Sequence, residues 1–212
     1  MILGINASQL TTVQKSGIEY TVENIITELI ELTRGTGDTI VLYVREPLSD
    51  TFPDHVRVKV LRWHFQKLWT QARLAWELAL HPPEAFLDIS NFFQLLSLFA
   101  KTRKYIFAHD YGFLEYPERY PLFQLLIMHV GNFCSGTRAS HIFTPTEHTT
   151  NQITRYFPRW KKKTTTVGLG LKRTFIEALS SPAAPHSIPL DKPYILFVGR
   201  IDPKKNLENL IL

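Results

Sequence analysis

Cysteine is almost absent: Cys134 is the only one in 212 residues. A disulfide scaffold is therefore excluded, and a reducing compartment is the natural setting. Long apolar runs are missing as well. None approaches the ~18 residues that a membrane span needs, and the opening MILGINASQL has no cationic stretch ahead of its apolar one, so it does not read as a signal peptide. The eight histidines are scattered, with no HExxH and no His/Cys pair at ligand spacing, which argues against a zinc site. There is no GxSxG elbow and no Walker loop. Gly168-Leu169-Gly170 lacks the third glycine of a dinucleotide fingerprint and follows a late strand rather than the first. Acidic residues are in slight deficit, 19 against 24 basic ones, for a formal net charge of +5. That excess permits an anionic partner (nucleotide, nucleic acid or acidic lipid) without choosing among them.

Apolar residues make up 44% of the chain, which excludes intrinsic disorder at this moderate charge. The length suits one good core and is awkward for two. Short β-like runs alternate with longer amphipathic stretches, which predicts an α/β fold, a Rossmann-like parallel sheet flanked by helices. Ile2–Asn6 reads as a buried first strand, followed by a polar loop to Ser16 and a helix from Ile18 to Thr33. Its apolar face is Ile18, Val22, Ile25, Ile26, Leu29 and Leu32, and Gly35 and Gly37 end it. Strands are expected at Thr39–Val44, Val56–Leu61, Ala85–Asp88, Tyr105–Ala108, His141–Thr144 and Thr164–Val167. Helices are expected from Phe65 to Leu80, Phe92 to Ala100, Leu122 to Ala139 and Glu147 to Tyr156, with an aromatic-rich loop from Tyr111 to Pro121. Cys134 reads as a small core residue of its helix.

The composition then changes to SSPAAPHSIPLDKP, a semi-extended linker. Beyond it come a strand, Tyr194–Val198, and a helical start at Asn206–Leu212. This divides the chain into a domain over 1–177, a linker over 178–192 and the beginning of a second domain over 193–212. One strand and two helical turns cannot bury an apolar face alone. The tail either pairs back onto the sheet or opens a second domain, and the marked linker favours the latter.

Three places can carry chemistry. Lys15-Ser16-Gly17-Ile18 lies at a strand-to-helix junction, where free N–H groups and the helix dipole favour an anion, and Gly17 allows close backbone approach. The same residues also read as an ordinary helix start, with Ser16 capping and Glu19 at the capping-box position. His109-Asp110 stands at the carboxyl end of a buried strand, the edge at which open α/β sheets face their ligands. An imidazole there can donate to a hydroxyl or stabilise charge, or it is a loop histidine satisfied by backbone with Asp110 capping the next element. Arg200, Lys204 and Lys205 follow the Tyr194–Val198 run and form either a diphosphate clamp or an exposed basic turn. From His148 to Ile176 there are seven lysines and arginines and no acid, a face that could meet phosphate-bearing lipid or nucleic acid, or simply solvent. The stripe from Trp63 to Trp76 fits an interfacial helix or one packed on the sheet.

Taken in order, SGIEYTVENIITEL, IFAHDYGFLEYPERYP, HIFTPTEHTTNQITRYF, TTVGLGL and PYILFVGRIDPKKNLENLI resemble the GT-B glycosyltransferases of the large retaining family 4. The similarity spans nearly the whole chain and is weakest from Ser49 to Ala100. It implies two facing Rossmann-like domains, the first shaping the acceptor side and the second holding a nucleoside-diphosphate sugar. It also implies transfer of a hexose to an acceptor hydroxyl with retention, without cofactor or obligatory metal. By the same resemblance Arg200 and Lys205 neutralise the departing diphosphate, His109 contacts the transferred sugar, and Gly17 lies against the phosphates. The acceptor would be a sugar or lipid-linked sugar in cell-surface glycan or glycolipid assembly. HDYGFLEYPERYP leans towards mannosyl-type members. The setting would be cytoplasmic, with room for peripheral contact with acidic membrane and no nucleic acid partner. The sequence departs from the family in having one glycine in the first loop where many members have two. It also has Leu171-Lys172 where members often have valine and aspartate. The family's paired-glutamate segment belongs to a part of the second domain that these residues do not include, so the 212 residues are expected to be a fragment, inactive alone. A non-catalytic α/β module that binds polyanions through its basic face is the competing expectation.

Overall fold

A computed structural model describes residues 1–12, 17–64, 69–89, 101–180, 194–199, 201 and 206–211. Its core is a seven-stranded sheet in the order β3-β2-β1-β4-β5-β6-β7, with every neighbouring pair parallel. The strands are β1 (Ile2–Asn6), β2 (Thr39–Val44), β3 (Val56–Val60), β4 (Ala85–Asp88), β5 (Arg103–Phe107), β6 (His141–Thr144) and β7 (Thr164–Thr166). All seven fall where the sequence pattern puts them, within two residues. The order reverses between β1 and β4, so the crossovers leaving these two neighbours diverge and open a crevice at their carboxyl ends.

Alternation along the strands explains why both faces are covered. In β2, Ile40, Leu42 and Val44 join one apolar cluster and Tyr43 the other; in β5, Phe107 joins the first and Ile106 the second. Helix α1 (Gly17–Leu32) seals the first layer with Val22, Ile26 and Ile30, leaving Ile18 and Leu32 at the exposed ends of its stripe. Gly35 and Gly37, both at φ +79°, turn the chain back toward β2 as expected, in a conformation that favours glycine.

The second layer is built by wide π-type turns at Trp69–Leu74 continuing into α2 (Ala75–Leu80), by α4 (Leu122–Arg138) and by α5 (Glu147–Tyr156). Trp69 is fully enclosed and donates its indole N–H to the Leu61 carbonyl. Trp160, in the 3-10 turn Pro158–Lys163, lies over Gly136 of α4, where a Cβ would collide with the indole. The buried Glu77 of α2 receives Lys59 from β3 and Arg73 one turn earlier, and His81 Nδ1 lies 2.9 Å away. Burial would raise its carboxyl, but the hydrogen bonds from Lys59 and Arg73 outweigh that and hold it below its ordinary value.

Four expectations are corrected. The Tyr111–Pro121 loop contains a short helix, α3 (Gly112–Glu115), and a 3-10 turn at Pro117–Arg119. Cys134 is half-buried rather than in the core. An unforeseen helix, α6 (Arg173–Leu179), follows the sheet. Tyr194–Val198 forms no strand, and all five residues are exposed: a β-run becomes a strand only by pairing, and none of the described residues pairs with it. The expected helix Phe92–Ala100, the start of the helix at Phe65, and most of the proline-rich linker lie outside the described residues. By its contacts the chain falls into two units, Met1–Gly170 and Leu171–Leu212, with the second comprising α6, the open 194–199 run and α7 (Glu208–Ile211). The sequence-based domain boundary at 177 falls within α6.

Candidate functional site

The carboxyl edge of the sheet gathers polar side chains at the point where the strand order reverses. β1 ends on Asn6 and β4 on Asp88, neighbours in the sheet and both buried. Asn6 Nδ2 donates to the Asp88 carboxylate at 3.4 and 3.5 Å, while its Oδ1 accepts from the Ser8 hydroxyl at 2.9 Å. The Ser8 backbone N–H also points to that oxygen, at 3.3 Å. Burying a carboxylate is costly unless it is hydrogen-bonded, and this pair meets that need while locking the ends of two adjacent strands. Neither residue stood out in the sequence, although each is a polar residue closing an apolar strand run, ILGIN and AFLD, which was the available signal.

His109 stands two residues past the end of β5. Its Nε2–H donates to the Ile89 carbonyl at 2.9 Å, just beyond β4, and its ring tilts against Phe107 with centroids 5.1 Å apart. A carbonyl can only accept, so the proton sits on Nε2. Burial lowers the imidazole pKa from its ordinary 6.5, against the opposing pull of the Ile89 hydrogen bond and of Asp110 and Glu19. Burial thus favours the neutral form of the ring. Of the two sequence-based readings of His109, the backbone-held loop histidine describes its Nε2–H.

The surrounding loop is pinned down. Tyr111 and Phe113 are buried with ring centroids 5.6 Å apart, and Phe113 meets His129 of α4 edge-on at 5.1 Å. Burial pushes the Tyr111 phenol well above its ordinary value. Asp110 accepts from the Gly112 N–H at 3.2 Å, the capping role open to it from the sequence. On the other side, Thr149 of α5, whose N–H is capped by Thr146, points its hydroxyl at the His109 carbonyl at 3.5 Å.

Gly17 opens α1 and is exposed, with empty space where a Cβ would sit. Glu19, on the same first turn, pulls the His109 pKa upward, and the parallel sheet order puts the amino end of α1 and the end of β5 on one edge. Arg45, just past β2, lies over the Trp69 ring at 5.3 Å, and burial lowers its pKa. Gly17 and His109 are thus the two sequence-selected residues that the structure brings to one edge. Lys15, Ser16, Arg200, Lys204 and Lys205 lie outside the described residues. Among the described residues, no group of three or more His, Cys, Asp or Glu is placed to hold a metal ion.

The fold has counterparts in solved structures. The sucrose-phosphate synthase from Thermosynechococcus elongatus superposes with a TM-score of 0.61 at 14% identity, over 99% of this chain and 58% of that one. WaaG, a glycosyltransferase involved in lipopolysaccharide biosynthesis, gives 0.58 at 9% identity, over 82% and 46%. Os79 from O. sativa in complex with UDP gives 0.50 at 13% identity, over 87% and 55%. The fold is the Rossmann-like α/β architecture of the GT-B glycosyltransferases. The chain spans roughly half the length of these GT-B structures. At the level of sequence, no protein-family model and no curated protein matches. The GT-B likeness therefore concerns the fold, and the site is argued from the residues of this chain.

Proposed function

We propose that this chain forms the acceptor side of a retaining glycosyltransferase that moves a hexose from a nucleoside-diphosphate sugar to an acceptor hydroxyl. The observation that supports this reading is that Gly17, at the amino end of α1, and His109, held by the Ile89 carbonyl, both lie on the carboxyl edge where β1 and β4 part, in a GT-B fold. Helix N–H groups opened by a glycine suit phosphate oxygens. A fixed imidazole at the strand end suits contact with a sugar hydroxyl. Arg200 and Lys205 complete the proposal as the cations that neutralise the diphosphate as the bond to the anomeric carbon breaks, the moment at which leaving-group charge is greatest. The reading calls for no cofactor and no obligatory metal. It sets the reaction in the cytoplasm, with a sugar or lipid-linked acceptor of the kind used in cell-surface glycan or glycolipid assembly, and with peripheral contact to acidic membrane. Mannosyl transfer is the first donor chemistry to try.

The test is a titration of UDP-, GDP- and ADP-sugars into the whole protein, repeated with Arg200→Ala and Lys205→Ala. One donor should bind, and each substitution should reduce its turnover by about 100-fold or more, the scale on which preorganised charge contributes. Failure to bind any nucleotide sugar contradicts the enzyme reading, and unchanged turnover in the two variants removes the diphosphate clamp.

A further inference from the structure

Helix α4 is amphipathic in the reverse sense. Toward the protein it presents Gly131, Asn132, Ser135 and Gly136, all buried. Outward it presents Leu122, Phe123, Leu126, Ile127, Val130 and Phe133, all exposed, with Leu122 at 83%, Phe123 at 76% and Leu126 at 60%. At 3.6 residues per turn these six fill an arc of roughly 140° that contains no charged residue. A helix resting on a sheet normally turns its large apolar residues inward. Here Gly131, Ser135 and Gly136 are inward because Trp160 fills the space above Gly136, Leu125 and Met128 pack partly against the core, and the six residues of the arc remain outside. An exposed contiguous apolar face of this kind marks an interaction surface.

Charge indicates what it meets. Phe133 at one end of the arc lies 6.5 Å from the Trp160 ring and 6.4 Å from the Phe157 ring, so the turn Pro158–Lys163 borders the apolar face. That turn supplies the exposed Arg159, Lys161 and Lys162, and α4 itself ends on the exposed Arg138. Lys163 serves the fold, donating to the Thr137 and Ala139 carbonyls. From Gln124 to Gly170 the only acidic residue is Glu147, against six lysines and arginines. A second copy meeting this face symmetrically would bring like charges together. An anionic bilayer would receive the apolar arc at its acyl boundary and the cations at its headgroups. No helix among the described residues is long and apolar enough to cross a membrane.

We infer that α4 lies in the surface of an anionic bilayer, its Leu122–Phe133 arc immersed and the Arg159–Lys162 turn against the headgroups. This rests on the peripheral membrane contact of the proposed function and names the surface that makes it; it is tested without any nucleotide, so its failure leaves the nucleotide-sugar titration untouched. The intact protein is sedimented with phosphatidylcholine vesicles, with and without phosphatidylglycerol, at low and raised salt. Binding is expected only where phosphatidylglycerol is present, and should weaken as salt rises. Phe123→Glu with Leu126→Glu should abolish it, and Lys161→Glu with Lys162→Glu should lower partition by about tenfold or more. The substituted side chains are exposed, so the circular dichroism spectrum should not change; if the double glutamate variant misfolds, Leu126→Gln is read instead and should still weaken binding. Absence of binding to anionic vesicles overturns the inference, as does binding that survives the α4 substitutions. A concentration-dependent dimer dissociated by Phe123→Glu with Leu126→Glu also overturns it, in favour of a second copy.

Discussion

At the scale of single residues, the half-buried His109 and the buried Glu77 tie the stability of the fold to pH. His109 has its folded pKa below 6.5, so between the two values the unfolded chain holds more protons than the folded one. Stability therefore rises with pH through that window and is lost on acidification. His109→Gln should flatten the pH dependence of the urea midpoint below pH 6.5, and an unaltered slope would show that the ring is not held neutral by burial. Glu77 acts lower on the scale. Its folded pKa lies below 4.5, so the stability it contributes is present above that value and disappears as pH falls through the lowered one. Glu77→Ala should cost about 2 kcal/mol at neutral pH, the worth of hydrogen bonds to a buried charge, as read by denaturant unfolding. Neither group was legible as buried in the sequence. His109 stood out as a histidine at a strand end without showing its burial, and Glu77 did not stand out, because its partner Lys59 comes from β3, eighteen positions earlier.

At the scale of elements, the strands were the most readable feature. TIVLYV, AFLD and HIFT each close on turn-forming or polar residues, and a sheet buried on both faces demands apolar residues at nearly every position. Helix α1 was readable in extent and orientation, its apolar face sealing the first layer, whereas α4 was readable in extent only. The sequence of α4 shows a long apolar helix, yet which side faces inward depends on Trp160, twenty-four residues further on. Gly136→Ala tests that packing directly. A Cβ there meets the indole, and the substitution should cost roughly 2–3 kcal/mol in thermal or urea unfolding despite the better helix propensity of alanine. A neutral or stabilising effect would mean that Trp160 does not rest on α4. The same dependence on distant partners explains Tyr194–Val198: its composition is that of a strand, but pairing is non-local and cannot be read from the run itself.

At the scale of the whole molecule, the alternating patterns of the sequence predict a parallel sheet, while its order, with the reversal between β1 and β4 that marks the ligand-facing edge, comes from the structure. The candidate site was half legible. Gly17 and His109 announced themselves by residue type and position at strand ends. The Asn6–Asp88 pair did not, because only the sheet order makes β1 and β4 neighbours across eighty-two residues. Sugar transfer at this carboxyl edge is the proposal on which the rest depends. Steady-state transfer from the preferred nucleotide sugar by the whole protein, wild type against His109→Ala, is the decisive measurement, with the urea midpoint of each recorded alongside. A loss of about 100-fold in kcat/KM with the variant still folded is expected; equal kcat/KM in two folded proteins would overturn the proposal.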